Sequence, residues 1–141
     1  MDKLVIHGGR LLKGSVRIGG AKNAVLPIMT ATIIAPGRYK IKRVPNLRDT
    51  RTMIRLLEII GAEVSFEDGT LLIDSTKCDN PEAPYDLVKT MRASFYVLGP
   101  LLSRFGYAKV SMPGGCAWGP RPVNFHVDAM EQIGAETILE D

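Results

Sequence analysis

At 141 residues, with 45% hydrophobic and 23% charged content, the chain has the balance of one ordinary folded domain, which excludes disordered, collagen-like and fibrous classes. Its net charge is only +3, its lysines and arginines are spread along the first half without interleaved aromatics, and its end is acidic, so a small anionic ligand fits better than nucleic acid. Asp2 and Lys3 stand ahead of a broken apolar run and no window reaches the length of a membrane span, so a cytoplasmic protein without a membrane partner is expected.

Residues 4–7 and 15–18 read as short strands joined through Gly8-Gly9-Arg10, and residues 21–34 read as a helix closed by Pro36-Gly37. Residues 38–42 alternate as a strand. Apolar side chains then recur at helical spacing over residues 47–60 until Gly61 stops them. Residues 63–66 and 70–73 flank Glu67-Asp68-Gly69, a hairpin signal. Further on, residues 86–103 read as a helix, 107–111 as a strand, 123–133 as a helix, and the chain from 136 as the start of another strand.

This order is one unit met twice. Ile60-Gly61-Ala62-Glu63 returns as Ile133-Gly134-Ala135-Glu136, about 70 residues on, as expected of a supersecondary unit stacked on its copy. Gly37 aligns with Gly106 and Lys22 with Arg92 at a slightly smaller offset, so the second copy gains a few residues between its strand and its second helix. The layout expected is an α+β fold: N-terminal strands in residues 1–20, a first unit in 21–80, and a second, incomplete unit in 81–141 that carries an inserted loop at 112–122.

That insertion reads Pro113-Gly114-Gly115-Cys116-Ala117-Trp118-Gly119-Pro120-Arg121-Pro122. Free cysteines are mostly small buried hydrophobes, but here the neighbours on both sides are loop formers. A polarizable nucleophile beside the fixed cation of Arg121, in a stretch loosened by glycine and limited by proline, has the composition of a reactive lid. Cys78, in the polar run Thr76-Lys77-Cys78-Asp79, reads as an incidental surface or half-buried thiol. Both cysteines are expected to be free, and no CxxC or HxxxH spacing supports a metal or any other cofactor. Lys22 follows Ile18-Gly19-Gly20-Ala21, whose glycines would let an anion approach free N–H groups at a helix start. Alone that motif is weak; with Arg92, Cys116 and Arg121 it becomes a constellation.

Three segments carry a family resemblance: Gly20-Ala21-Lys22-Asn23-Ala24, Ala83-Pro84-Tyr85-Asp86-Leu87-Val88-Lys89-Thr90-Met91-Arg92-Ala93-Ser94, and Pro113-Gly114-Gly115-Cys116 with Gly119, Arg121-Pro122-Val123 and His126. In this order and spacing the chain resembles the N-terminal third of the UDP-N-acetylglucosamine 1-carboxyvinyltransferase (enolpyruvyl-UDP-GlcNAc synthase) family. The resemblance implies an inside-out α/β barrel built of six such units in two domains, incomplete in this chain, with the strands of residues 1–20 pairing with the second domain.

It also implies an enolpyruvyl transferase that moves the enolpyruvyl group of phosphoenolpyruvate to the 3′-hydroxyl of UDP-N-acetylglucosamine, the first committed step of peptidoglycan synthesis. By resemblance, Lys22 and Asn23 bind phosphoenolpyruvate. Arg92, Arg121, Pro122, Val123, Asn124 and Phe125 contact the UDP-sugar, Cys116 is the catalytic proton donor that fosfomycin alkylates, and His126 has a supporting role. Trp118, Asn124 and Phe125 depart from the residues usual in the family. The family's general-base aspartate and several substrate-binding arginines lie beyond the matched third, so the implied partner is the C-terminal part of the same enzyme. A fragment of a longer parent, inactive alone, is expected.

Two other readings compete. The shikimate-pathway enolpyruvyl transferase shares the fold but lacks the PGGC loop, and a non-catalytic phosphosugar-binding fragment or degenerate paralogue would use the same cleft without the chemistry. His7 has no case as a site residue.

Overall fold

The structure is a computed structural model, which describes residues 3–89, 91–112 and 123–139. Its larger sheet is three-stranded and antiparallel, backed by two helices. The helices are α1 (Lys22–Ala31) and α2 (Arg48–Ile60), and the strands are β1 (Arg38–Lys42), β2 (Glu63–Glu67) and β3 (Thr70–Asp74) in the order β1-β3-β2. The β2–β3 hairpin closes through Asp68 and Gly69, both at positive φ (44° and 69°), the mirror-image turn whose twist matches that of the strands.

Strand alternation puts two cross-strand rows on one face: Tyr39, Ile73 and Val64 in one, Ile41, Leu71 and Phe66 in the other. Against that face α2 turns Met53, Leu56, Leu57 and Ile60, which recur at helical spacing and are all fully buried. Val25, Leu26 and Met29 of α1 complete the core, with Ile33 just beyond it. Gly61 ends α2 in the left-handed conformation (φ 104°) that glycine adopts freely. The helix expected over 21–34 stops at Ala31, because Thr32, Ile33 and Ile34 bond three residues back rather than four and the Thr32 hydroxyl donates to the Met29 carbonyl at 2.7 Å.

The second half is more broken than its sequence predicts. The helix expected over 86–103 is three pieces: α3 (Tyr85–Val88), a 3₁₀ helix (Arg92–Val97) and α4 (Leu98–Phe105). Met91, with φ −148° and ψ 108°, is extended and separates the first two. Pro100 explains the restart: inside one long helix its ring would clash and remove a hydrogen bond, whereas in the first turn of α4 the missing N–H needs no partner. The strand expected over 107–111 shrinks to β5 (Lys109–Val110), which pairs in parallel with β4 (Glu82–Ala83), a strand that periodicity does not predict. Two residues between Pro81 and Pro84 are too few to show alternation. The last helix, α5 (Asn124–Gln132), falls within the expected 123–133.

Three expected strands do not form. Residues 4–7, 15–18 and 136–139 have no ladder partner among the described residues and stand exposed, Leu4, Ile6, Val16, Ile18 and Ile138 included. Alternation licenses a strand only where another edge accepts its N–H and C=O groups. No closed barrel is present among the described residues, and none of their helices is long and apolar enough to cross a membrane.

Cys78 also departs from expectation, being buried at 6% exposure rather than at the surface or half-buried. Burial pushes its thiol above the usual range, against the opposing pull of the Arg104 guanidinium. Arg104 itself ties α4 to the rest of the core, donating from Nη1 to the Ile33 carbonyl at 3.0 Å and from Nη2 to the Cys78 carbonyl at 3.1 Å. Iodoacetamide at neutral pH is therefore expected to alkylate Cys78 only after denaturant is added, read by peptide mass spectrometry; rapid labelling of the native protein would contradict this burial.

Asp74 locks the far end of β3. Its carboxylate accepts from the Thr76 hydroxyl and backbone N–H and from Arg38 of β1, and these bonds, the Thr76 hydroxyl first, hold its pKa down to about 2 from an ordinary 3.8. A depressed carboxylate stabilises the fold above its unfolded pKa, and that contribution is lost as pH falls from about 4 towards 2. Thermal melts of Asp74→Asn should thus lose less stability over that pH window than the unsubstituted protein. Parallel loss in both would show that the Asp74 contacts do not persist in solution.

Candidate functional site

The site begins at Gly20, where the chain enters α1. A Cβ built there would lie 1.7 Å from the Arg43 carbonyl oxygen, so the backbone of residue 20 is pressed on the backbone that follows β1, and Arg43 itself sits at positive φ (59°). Ala21, extended, begins α1 without a side-chain cap, and no acidic residue occupies the first turn. The first N–H groups of α1 and its positive dipole end are left for another acceptor.

Lys22, the first residue of α1, forms an ion pair with Asp49 in the first turn of α2, Nζ to Oδ2 2.7 Å. The two side chains remain 45% and 29% exposed. Both open on a cleft of about 400 Å³, whose other polar members are Asn23 and His126. Its apolar wall joins Leu26 of α1 to residues from the opposite half of the chain, Met91, Ala93, Phe95 and Tyr96 around the 3₁₀ helix and Val123 before α5. Elements far apart in sequence thus meet at one concavity: the N-termini of α1 and α2, the 3₁₀ helix and the entry to α5. Lys22 has three donors, so an anion can share the ammonium with Asp49 rather than displace it.

Of the residues expected from sequence, Lys22, Asn23, Val123 and His126 line this cleft. Asn124 and Phe125, in the first turn of α5, are exposed and do not line it. The Arg92 backbone opens the 3₁₀ helix between the lining residues Met91 and Ala93. The Arg92 side chain, Cys116, Arg121 and Pro122 lie outside the described residues, as does the loop expected to carry the last three. Asp49 was not expected; its only sequence signal is an acidic residue at the start of a helix, which also serves the helix dipole wherever it occurs. Among the described residues no group of three or more His, Cys, Asp or Glu could hold a metal.

Comparison with known proteins gives the chain a family. At 58% identity the chain matches a UDP-N-acetylglucosamine 1-carboxyvinyltransferase from Chloroherpeton thalassium, and at 55% one from Chlorobaculum parvum. These alignments cover 100% and 99% of this chain and 33% of each relative, so the chain spans about a third of the length of the curated relatives it matches. Among solved structures, the enolpyruvyl transferase NikO from Streptomyces tendae superposes with a TM-score of 0.78 at 29% identity, over 96% of this chain and 30% of that one. The family model described as EPSP synthase (3-phosphoshikimate 1-carboxyvinyltransferase) matches residues 6–141, and to that family of carboxyvinyl transferases the chain belongs.

Proposed function

We propose that this chain is the phosphate-binding third of an enolpyruvyl transferase that acts on UDP-N-acetylglucosamine in peptidoglycan synthesis, and so serves cell-wall growth in the cytoplasm. The observation that carries the choice of acceptor is the whole-chain identity of 55–58% to relatives named for that nucleotide sugar. The shikimate-pathway reading has the family model's description in its favour, but no PGGC loop is expected of it. Lys22 and Asn23, at the uncapped start of α1, are assigned to the phosphate of phosphoenolpyruvate. Arg92, Arg121, Pro122, Val123, Asn124 and Phe125 are assigned to the UDP-sugar, and Cys116 to proton delivery.

In that chemistry a proton adds to the terminal carbon of phosphoenolpyruvate while the sugar hydroxyl oxygen bonds to the adjacent carbon. A proton then leaves the terminal carbon and phosphate leaves the other, restoring the double bond. Cationic groups lower the barrier by holding the phosphate through both steps. The remaining two thirds of the relatives' length is assigned the base that takes the acceptor proton. A phosphosugar-binding fragment without chemistry is the second reading, and it predicts a Cys116 of ordinary reactivity.

The test is mass spectrometry after exposure of the natural polypeptide to fosfomycin, with and without UDP-N-acetylglucosamine. The expected adduct is confined to Cys116 and increased by the nucleotide, while buried Cys78 stays unmodified as an internal control. No adduct on the intact polypeptide would remove the catalytic assignment of Cys116.

A further inference from the structure

α5 presents a puzzle of attachment, because none of its own residues is buried, yet it begins at the cleft. Among the described residues, three contacts at helical spacing hold it. Val123, one residue before it, is buried; His126 lies over the ring of Phe95, with centroids 6.0 Å apart and planes 19° from parallel; and the Met130 Cε is 3.7 Å from where a Cβ on Gly99 would stand. Phe95 and Gly99 are four residues apart, on the same side of the 3₁₀ and α4 segment. The Phe95 ring is fixed, at 5% exposure, whereas His126 is exposed and its backbone N–H is already bonded to the Val123 carbonyl.

We infer that His126 serves this protein as a ring rather than as a proton carrier or hydrogen-bonding group. Stacked on Phe95, it docks α5 and sets where Asn124 and Phe125, the two residues before it, stand beside the cleft. Phe95 and His126 are then a pair of positioning residues. A parallel offset aromatic contact is worth about 2- to 10-fold in an equilibrium beyond the area it buries. With no residue of α5 itself buried, that factor should appear directly in the docking of the helix. The link to the nucleotide sugar rests on the function proposed above; the docking does not.

The test compares Phe95→Leu, His126→Gln, the double variant and His126→Phe in the natural polypeptide, by amide hydrogen exchange across residues 124–132 and by steady-state kinetics. His126→Gln keeps polar atoms and loses the ring; His126→Phe does the reverse. Phe95→Leu and His126→Gln should each speed exchange in α5 by about 2- to 10-fold and raise KM for UDP-N-acetylglucosamine by a similar factor, more than they lower kcat. The double variant should be no worse than the worse single one, and His126→Phe should restore both readouts to within about twofold. The inference is overturned if His126→Phe is as impaired as His126→Gln, or if Phe95→Leu leaves α5 exchange unchanged. Should the unsubstituted polypeptide fail to turn over UDP-N-acetylglucosamine, the functional reading falls, and the exchange rates alone decide the docking.

Discussion

Gly20→Ala is expected to lower kcat/KM for phosphoenolpyruvate by about 100-fold while costing only about 1–2 kcal/mol of stability. The added methyl would stand 1.7 Å from the Arg43 carbonyl oxygen and 3.4 Å from Pro45 Cδ, so one of the two backbone segments must move. Arg43 is poorly placed to yield. The next residue, Val44, is buried and donates its N–H to the Gly69 carbonyl at 2.8 Å, which anchors this stretch to the hairpin turn. Residues 18–20 are exposed, so the strain is relieved by their displacement, which pulls the start of α1 and Lys22 away from Asp49. Site geometry is lost before the core is disturbed. Gly8→Ala, where a Cβ meets nothing within 4 Å, is the control and should change neither quantity. Ordinary kinetics in Gly20→Ala would show that the Gly20–Arg43 contact does not position the cation.

The second large effect is expected from Lys22→Ala. Removing a fixed charge from the phosphate should cost about 10²- to 10³-fold in kcat/KM, the scale of losing one preorganised electrostatic contact in an active site. Stability should hardly change, because the Lys22–Asp49 pair is partly exposed and such pairs contribute about 0–1 kcal/mol. Lys22→Arg keeps the charge but offers a planar fork better matched to the Asp49 carboxylate than to a point position at the helix start, so it should recover only part of the loss. The split between activity and stability is the informative readout. A fall in melting temperature as large as that of a core substitution would mean that Lys22 holds the fold rather than the ligand.

How much of this was legible in the sequence depended on how each element is stabilised. β1, α2 and the β2–β3 hairpin are set by local signals: alternation, helical spacing of buried residues, and an Asp-Gly turn with two left-handed positions. Their observed bounds differ from the expected ones by one residue at most. The stretch 86–103 has apolar spacing suited to one helix, while Pro100 and the extended Met91 interrupt the backbone that would carry it. The strands expected near the two ends depend on a neighbour that no local pattern supplies. The polar flanks of Cys78 suggest a surface or half-buried thiol, yet the turn after β3 folds it under Arg104.

At the site, the glycines before Lys22 mark that residue as a candidate beside an anion, and Asn23 rests on the family resemblance; the close approach of Gly20 to the Arg43 carbonyl carries no sequence signal. Asp49 was illegible for a related reason. An acidic residue in a first helical turn is explained by the dipole alone, and only the meeting of α1 with α2 turns it towards Lys22. His126 was readable as a site residue from the family resemblance, but its ring contact with Phe95 is a property of the packing between α5 and the 3₁₀ helix.

The central claim is most directly tested by giving the natural polypeptide phosphoenolpyruvate with either UDP-N-acetylglucosamine or shikimate 3-phosphate, and following phosphate release together with the mass of the product. Release of phosphate and formation of the enolpyruvyl ether with the nucleotide sugar, and neither with shikimate 3-phosphate, is the predicted result. Turnover of shikimate 3-phosphate in its place, or of neither acceptor by a polypeptide of the relatives' full length, would contradict it.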